Sequence, residues 1–166
     1  MFIVPAIRRS ALVLSLCLLS VPTFAATESP GALSEEGAFL ALSVADRDAQ
    51  VAWYRDKLGF EVVEQREVPE RGIRFALLRR DGALLELLQL PDARPRTALD
   101  PDAASASRIH GFFKGGLLVR DIEGLHRQLQ EKGIAFTVPL GEPGSGGLRL
   151  FQIKDPEGNL LQFLGR

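Results

Sequence analysis

The sequence predicts an α+β domain made of two tandem βαβββ modules, which can share one binding cleft. Three observations carry that expectation. Phe39-Leu-Ala-Leu-Ser-Val44-Ala-Asp46 recurs 75 residues later as Lys114-Gly-Gly-Leu-Leu-Val119-Arg-Asp121. Gly82-Ala-Leu-Leu-Glu86-Leu-Leu88 recurs 76 residues later as Gly158-Asn-Leu-Leu-Gln162-Phe-Leu164, so one inserted residue separates the two registers. Between these anchors each half reads strand, helix, strand, strand, strand, and a repeat of that length is a duplicated module rather than a solenoid of short units.

In chain order, the first segment stands outside this pattern. Arg8 and Arg9 precede an apolar run from Ala11 to Val21, followed by Thr23-Phe24-Ala25. A charged region, a short hydrophobic region and a small-x-Ala site are the three parts of a secretory signal, expected to span residues 1–25. The run is shorter than the roughly 20 apolar residues a membrane-spanning helix needs. Cleavage would leave a secreted or periplasmic protein with no stable membrane span, and a retained anchor is the alternative. The sole cysteine, Cys17, lies within the signal, so the mature chain is expected to have no disulfide and to depend on its core. Residues 26–37 are polar with Ser, Pro and Gly and read as a flexible N-terminus.

The domain is expected to occupy 38–166, with module one at 38–90, a linker at 91–110 and module two at 111–166. Ala38 to Val44 is apolar and reads as a strand. Asp46 then offers an N-cap for a helix that places Val51, Tyr54 and Leu58 on one face, and Gly59 ends it. Phe60 to Val68, Ile73 to Arg79 and Ala83 to Leu90 follow as strands, joined by a Pro69/Gly72 loop and a tight Arg80-Asp81-Gly82 turn. The linker carries prolines and small residues without periodicity. Phe112 to Val119 opens module two as a strand. Asp121 caps a helix with Ile122, Leu125 and Leu129 on one face, and Gly133 stops it. Ile134 to Leu140, Leu148 to Lys154 and Asn159 to Leu164 complete the unit.

The acidic Asp155-Pro-Glu-Gly158-Asn segment is explained by a hairpin turn without a metal, since Pro and Gly both favour turn backbones. Gly141 to Gly147 reads as a flexible connection that could also cover a cleft, but it lacks the lysine and the strand-loop-helix setting of a phosphate-binding loop. Twenty basic residues against 21 acidic ones, with no basic stripe, argue against nucleic acid as a partner.

Val44-x-Asp46 leading into Trp53-Tyr54 and Leu58-Gly59-Phe60, then Glu86, Val119-x-Asp121 and Asp155-Pro-x-Gly158-Asn, resemble the vicinal oxygen chelate superfamily. Glyoxalase I, extradiol dioxygenases, fosfomycin-resistance enzymes and bleomycin-binding proteins share that fold. The resemblance implies that metal-dependent members take ligands from the first and last strands of each module, at positions matching Phe39, Glu86, Lys114 and Gln162 here. Only Glu86 is a ligand-type residue without ambiguity. Phe39 has no lone pair, an ammonium at Lys114 repels a cation, and Gln162 offers only an amide oxygen. His110 precedes the fifth strand near or beyond the cleft rim, and His126 is expected on a solvated helix face.

No cofactor is therefore expected, and a divalent metal is disfavoured. Fold alone does not determine activity. The N-terminal segment and the resemblance together imply an exported small-molecule binder with Phe39, Glu86, Lys114 and Gln162 as ligand contacts. The alternative is a glyoxalase-, lyase- or dioxygenase-type enzyme with an atypical metal site or with Glu86 and Lys114 as candidate acid and base. If Lys114 enters the cup-shaped cleft it would face Glu86 as a recognition pair, with Phe39 and Trp53 adding apolar contact. The alternatives are an architectural ion pair or a solvated edge for the two charges, and a helix-to-sheet core place, the first reading, for Trp53. Arg74 and Arg149 share the repeat offset and read first as solvated strand residues, with anion binding as the alternative. A homodimer is implied by analogy.

Overall fold

The computed structural model describes residues 39–95, Ala98 and 113–166. The segments expected to be a signal and a flexible N-terminus, most of the expected linker, and His110 lie outside the described residues. Module one runs β1 (Phe39–Ser43), α1 (Arg47–Leu58), β2 (Glu61–Val68), β3 (Ile73–Arg80) and β4 (Ala83–Gln89). Module two runs β5 (Gly115–Val119), α2 (Ile122–Glu131), β6 (Phe136–Val138), β7 (Arg149–Lys154) and β8 (Leu160–Gly165). Each module forms one four-stranded mixed sheet, in the orders β1-β4-β3-β2 and β5-β8-β7-β6. The first strand of each module lies parallel to the last, and the other pairings are antiparallel.

Local chemistry sets the helix boundaries. Asp46 Oδ1 accepts from the N–H groups of Asp48 and Ala49 at 3.0 Å, and Asp121 Oδ1 accepts from Gly124 at 2.8 Å. Each bond satisfies an N-terminal donor that the helix itself cannot pair. Gly59 ends α1 in the left-handed region at φ 68°, where its N–H reaches back to the Arg55 carbonyl. The strand expected from Ile134 is shortened at both ends. The Ile134 N–H is still bonded to the Leu129 carbonyl, and pairing with β7 shifts register between Phe136 and Val138.

Two-residue alternation divides the sheet faces. Ala76, Leu78, Leu85 and Leu87 in the first sheet, and Phe151, Ile153, Leu161 and Phe163 in the second, are buried against the helices. They join Val51, Tyr54 and Leu58 from α1 and Ile122, Leu125 and Leu129 from α2 in one core that runs through both modules. The intervening residues, including Glu86 and Gln162, occupy the opposite faces.

The modules meet at contacts that follow the repeat. Leu40 Cδ1 lies 3.3 Å from where a Cβ on Gly115 would sit, so this glycine lets β1 and β5 approach closely. Lys57 Nζ donates to the Lys132 carbonyl at 2.8 Å, while Lys132 Nζ donates to the carbonyls of Asp56 at 2.8 Å and Lys57 at 3.1 Å. These lysines stand at equivalent positions of the two halves, so each cation serves the C-terminal end of the other module's helix. The acidic turn after β7 adds a clamp that has no counterpart in module one among the described residues. Glu157 Oε1 accepts from Ala45 N at 2.7 Å and Asp46 N at 3.3 Å, and the Tyr54 hydroxyl donates to Asp155 Oδ2 at 3.2 Å. Among the described residues no helix is long and apolar enough to cross a membrane.

Candidate functional site

The four candidate residues lie on the sheet faces turned away from the helices or at their rim. Glu86 sits mid-strand on β4, opposite Ala41 of β1 and Leu77 of β3. Leu84 and Leu88 are its same-face neighbours along β4, so the half-buried carboxylate is framed by apolar side chains. Gln162 holds the equivalent place on β8, opposite Gly116 of β5 and Gln152 of β7. The first-strand positions opposite these two polar residues are held by small residues, Ala41 and Gly116.

The surroundings of these equivalent residues differ sharply. Gln162 Oε1 accepts from Lys114 Nζ at 2.5 Å and from Gln152 Nε2 at 3.0 Å. An amide oxygen has two lone pairs, so this acceptor is fully used, and Gln162 has its Nε2 hydrogens to offer a ligand. Lys114 Nζ also lies 5.4 Å from the centre of the Phe113 ring, within cation–π range. Glu86 has no hydrogen bond or salt bridge among the described residues. Phe39 at 58% exposure and Leu118 at 86% put apolar side chains on β1 and β5 beside these polar groups.

Several expectations need correction. No ion pair joins Lys114 to Glu86 among the described residues. Gln162, on the strand paired with β5, is the nearer partner and captures the ammonium. Trp53 takes the core place that was its first reading and not the ligand-contact one: it lies on α1 behind the sheet, packed edge-on against Tyr54 with ring centres 5.0 Å apart. His126 is half-buried rather than solvated: its ring lies 4.2 Å from Phe136 and 5.4 Å from Phe151. Its position beside Leu125 puts it at the edge of the buried helical stripe.

Arg74 is committed to Asp48 at 2.6 Å and Glu67 at 3.0 Å, and Arg149 is bound by Glu123 and the Gly141 carbonyl. Asp48 and Glu123 obey the same repeat offset, so the duplicated arginines close duplicated ion pairs at the helix starts. Arg74, followed by Arg47, holds the Asp48 carboxyl below its ordinary range by hydrogen bonding. Sequence reasoning missed Gln152, because its module-one equivalent is Leu77 and the repeat therefore hid it. The hairpin could have shown it, since folding the chain back at Asp155–Asn159 sets Gln152 opposite Gln162.

Among the described residues, the side chains at the four candidate positions make a poor donor set for a divalent cation. Phe39 cannot coordinate, Lys114 brings a positive charge, and the Gln162 oxygen is already engaged twice. One carboxylate remains. Among the described residues no group of three His, Cys, Asp or Glu side chains is arranged to hold a metal.

Comparison with known proteins agrees with the geometry at the level of fold. The model of the Glyoxalase/Bleomycin resistance protein/Dioxygenase superfamily matches residues 38–163. The uncharacterized protein YwkD of Bacillus subtilis (strain 168) is 32% identical over 119 residues, covering 71% of this chain and 87% of its own. A glyoxalase family protein from Enterococcus faecalis superposes with a TM-score of 0.60 at 23% identity, over 79% of this chain and 96% of that one. Glyoxalase I from Zea mays gives a TM-score of 0.58 at 18% identity, over 77% of this chain and 43% of that one. With two βαβββ modules, a repeat-related polar site and a family match across nearly the whole described region, this chain belongs to the Glyoxalase/Bleomycin resistance protein/Dioxygenase superfamily.

Proposed function

We propose that this protein binds a small organic molecule in the cup between its two sheet faces, with Phe39, Glu86, Lys114 and Gln162 as contacts and without a conventional divalent-metal site. The observation that carries the proposal is the Lys114–Gln162–Gln152 triad. It fills the ligand positions of module two with hydrogen-bond donors, which suit an acceptor on an organic molecule and oppose a cation. The apolar surroundings supplied by Phe39, Leu84 and Leu118 suit the body of such a molecule. A Lys114/Glu86 acid–base enzyme is the less favoured alternative, since Lys114 donates within its own module. The residue 1–25 segment supports export to the periplasm or outside the cell, and a homodimer is consistent with the family.

Metal analysis of protein purified without added metal tests the proposal, together with thermal shift against a small-molecule panel. The expected result is sub-stoichiometric metal and at least one stabilising compound whose effect is lost in Glu86→Ala or Lys114→Ala. A ligand present at a hundred times its dissociation constant stabilises by about 2.7 kcal/mol, or a shift of roughly 5–10 °C for a chain of this size. A stoichiometric divalent ion that disappears in Glu86→Ala would overturn the proposal.

A further inference from the structure

The two halves of the cup are chemically opposite, and this asymmetry restricts what can bind there. We infer that the cup takes an amphipathic ligand that sets a cationic nitrogen on Glu86 and an anionic or hydrogen-bond-accepting group on Lys114 and Gln162, with an apolar body between. The inference rests on the small-molecule reading above and adds the polarity of the ligand to it.

The repeat makes the comparison position by position. Glu86 corresponds to Gln162, Leu77 to Gln152, Ala41 to Gly116, and Phe39 to Lys114. In module two the polar residue gains a lysine and a second glutamine, and its oxygen is saturated by them. What this half still presents is N–H groups and a positive charge. In module one every corresponding neighbour is a hydrocarbon side chain, and the central residue is a half-buried carboxylate.

A carboxylate on a half-buried residue whose register and same-face neighbours are Ala41, Leu77, Leu84 and Leu88 has room to gain from a charge-assisted donor. Lys114 is the obvious internal candidate and is engaged elsewhere. An ammonium or guanidinium arriving on a ligand would find two acceptor oxygens and no competing cation among the described residues. Phe39 and Leu118, on the adjacent first strands, give apolar surface beside both polar ends. A neutral apolar ligand would use neither polar end, and a ligand with a single charged group would use only one of them.

Phenylbutylamine, phenylbutyrate and phenylbutanol share one apolar body and differ in head group, so calorimetric titration of all three isolates polarity. The amine and the carboxylate are each expected to bind more tightly than the alcohol. Glu86→Gln is expected to weaken the amine about tenfold and leave the carboxylate within about twofold, with Lys114→Met doing the reverse. Urea melts of both variants establish that they are folded. Equal affinity of the three probes, unaffected by either substitution, would overturn the assigned polarity and leave the small-molecule reading standing. Absence of binding by every probe to its solubility limit would overturn both. If Glu86→Gln instead dissolves a dimer in a solution mass measurement while no probe binds, the carboxylate serves a second copy of the chain and the inference fails.

Discussion

Replacing Tyr54 with Phe should cost far less than replacing the carboxylate it contacts. The Tyr54 hydroxyl, almost completely buried, donates to Asp155 Oδ2 at 3.2 Å and thereby ties α1 of module one to the β7–β8 turn of module two. Asp155 keeps three other donors when that hydroxyl is removed: Glu157 N at 3.0 Å, Asn159 N at 2.8 Å and Asn159 Nδ2 at 2.8 Å. The ring contacts with Trp53 and Phe60 also survive. The loss is therefore one long hydrogen bond to a charged group that stays satisfied, about 1–1.5 kcal/mol. Asp155→Ala strips the acceptor from two backbone N–H groups, an amide and a buried hydroxyl at once, and should cost about 3 kcal/mol or more. Urea unfolding followed by the fluorescence of Trp53, the only tryptophan, measures both. Tyr54 is also the only tyrosine, and burial, reinforced by the Asp155 charge, pushes its ionisation well above the usual range. The unfolded chain loses this proton near 10, so the stability is intact below about pH 10 and falls as pH rises beyond it. Tyr54→Phe should lose that part of the alkaline decline. Equal costs for the two substitutions, or an unchanged alkaline limb, would refute the geometry on which this rests.

The reciprocal lysines predict coupling between modules: Lys57→Ala and Lys132→Ala should each cost about 0.5–1 kcal/mol, with a measurable interaction term in a double-mutant cycle. Strict additivity would mean the two caps act independently. Gly165→Ala should be severe, because its Cβ would sit 2.2 Å from the Val119 carbonyl oxygen and 3.2 Å from the Ile122 Cβ, and backbone cannot swing aside as a flexible side chain can. We expect at least about 2–3 kcal/mol in urea melts, and near-wild-type stability would sink the close packing of β8 on β5 and α2. Asp48, whose carboxyl Arg74 and Arg47 hold below 3.8, contributes stability that is present above that value and lost as pH falls through and below it. Asp48→Asn should flatten the acid limb of stability against pH; because the group is largely exposed, the change should be modest and shrink at high salt.

Much of the fold was legible because its signals are local or periodic. Asp46 and Asp121 cap helices wherever the following N–H groups need acceptors, Gly59 supplies the left-handed stop, and two-residue alternation assigns strand faces without knowledge of the partner sheet. The duplication then carried each reading from one half to the other, which is why Phe39, Glu86, Lys114 and Gln162 could be named together. The same symmetry misled where the halves diverge. It concealed Gln152, whose counterpart is Leu77, and gave no sign of the Asp155–Tyr54 clamp, which joins residues 101 positions apart. The Lys114–Glu86 pairing, one of the arrangements left open by sequence, does not form among the described residues for a related reason, since opposite charge identifies possible partners and not the distance between them.

The sequence by itself therefore determined the two modules, their helix ends and the residues at the four candidate positions, because each depends on spacing along the chain. Only the tertiary structure decided that Lys114 turns to Gln162 within module two and that Glu86 stands among hydrocarbon neighbours in module one. A lysine side chain has several rotatable bonds and selects among acceptors by reach. Which acceptor lies within reach is settled by how β5, β7 and β8 pair, through contacts between residues far apart in the chain.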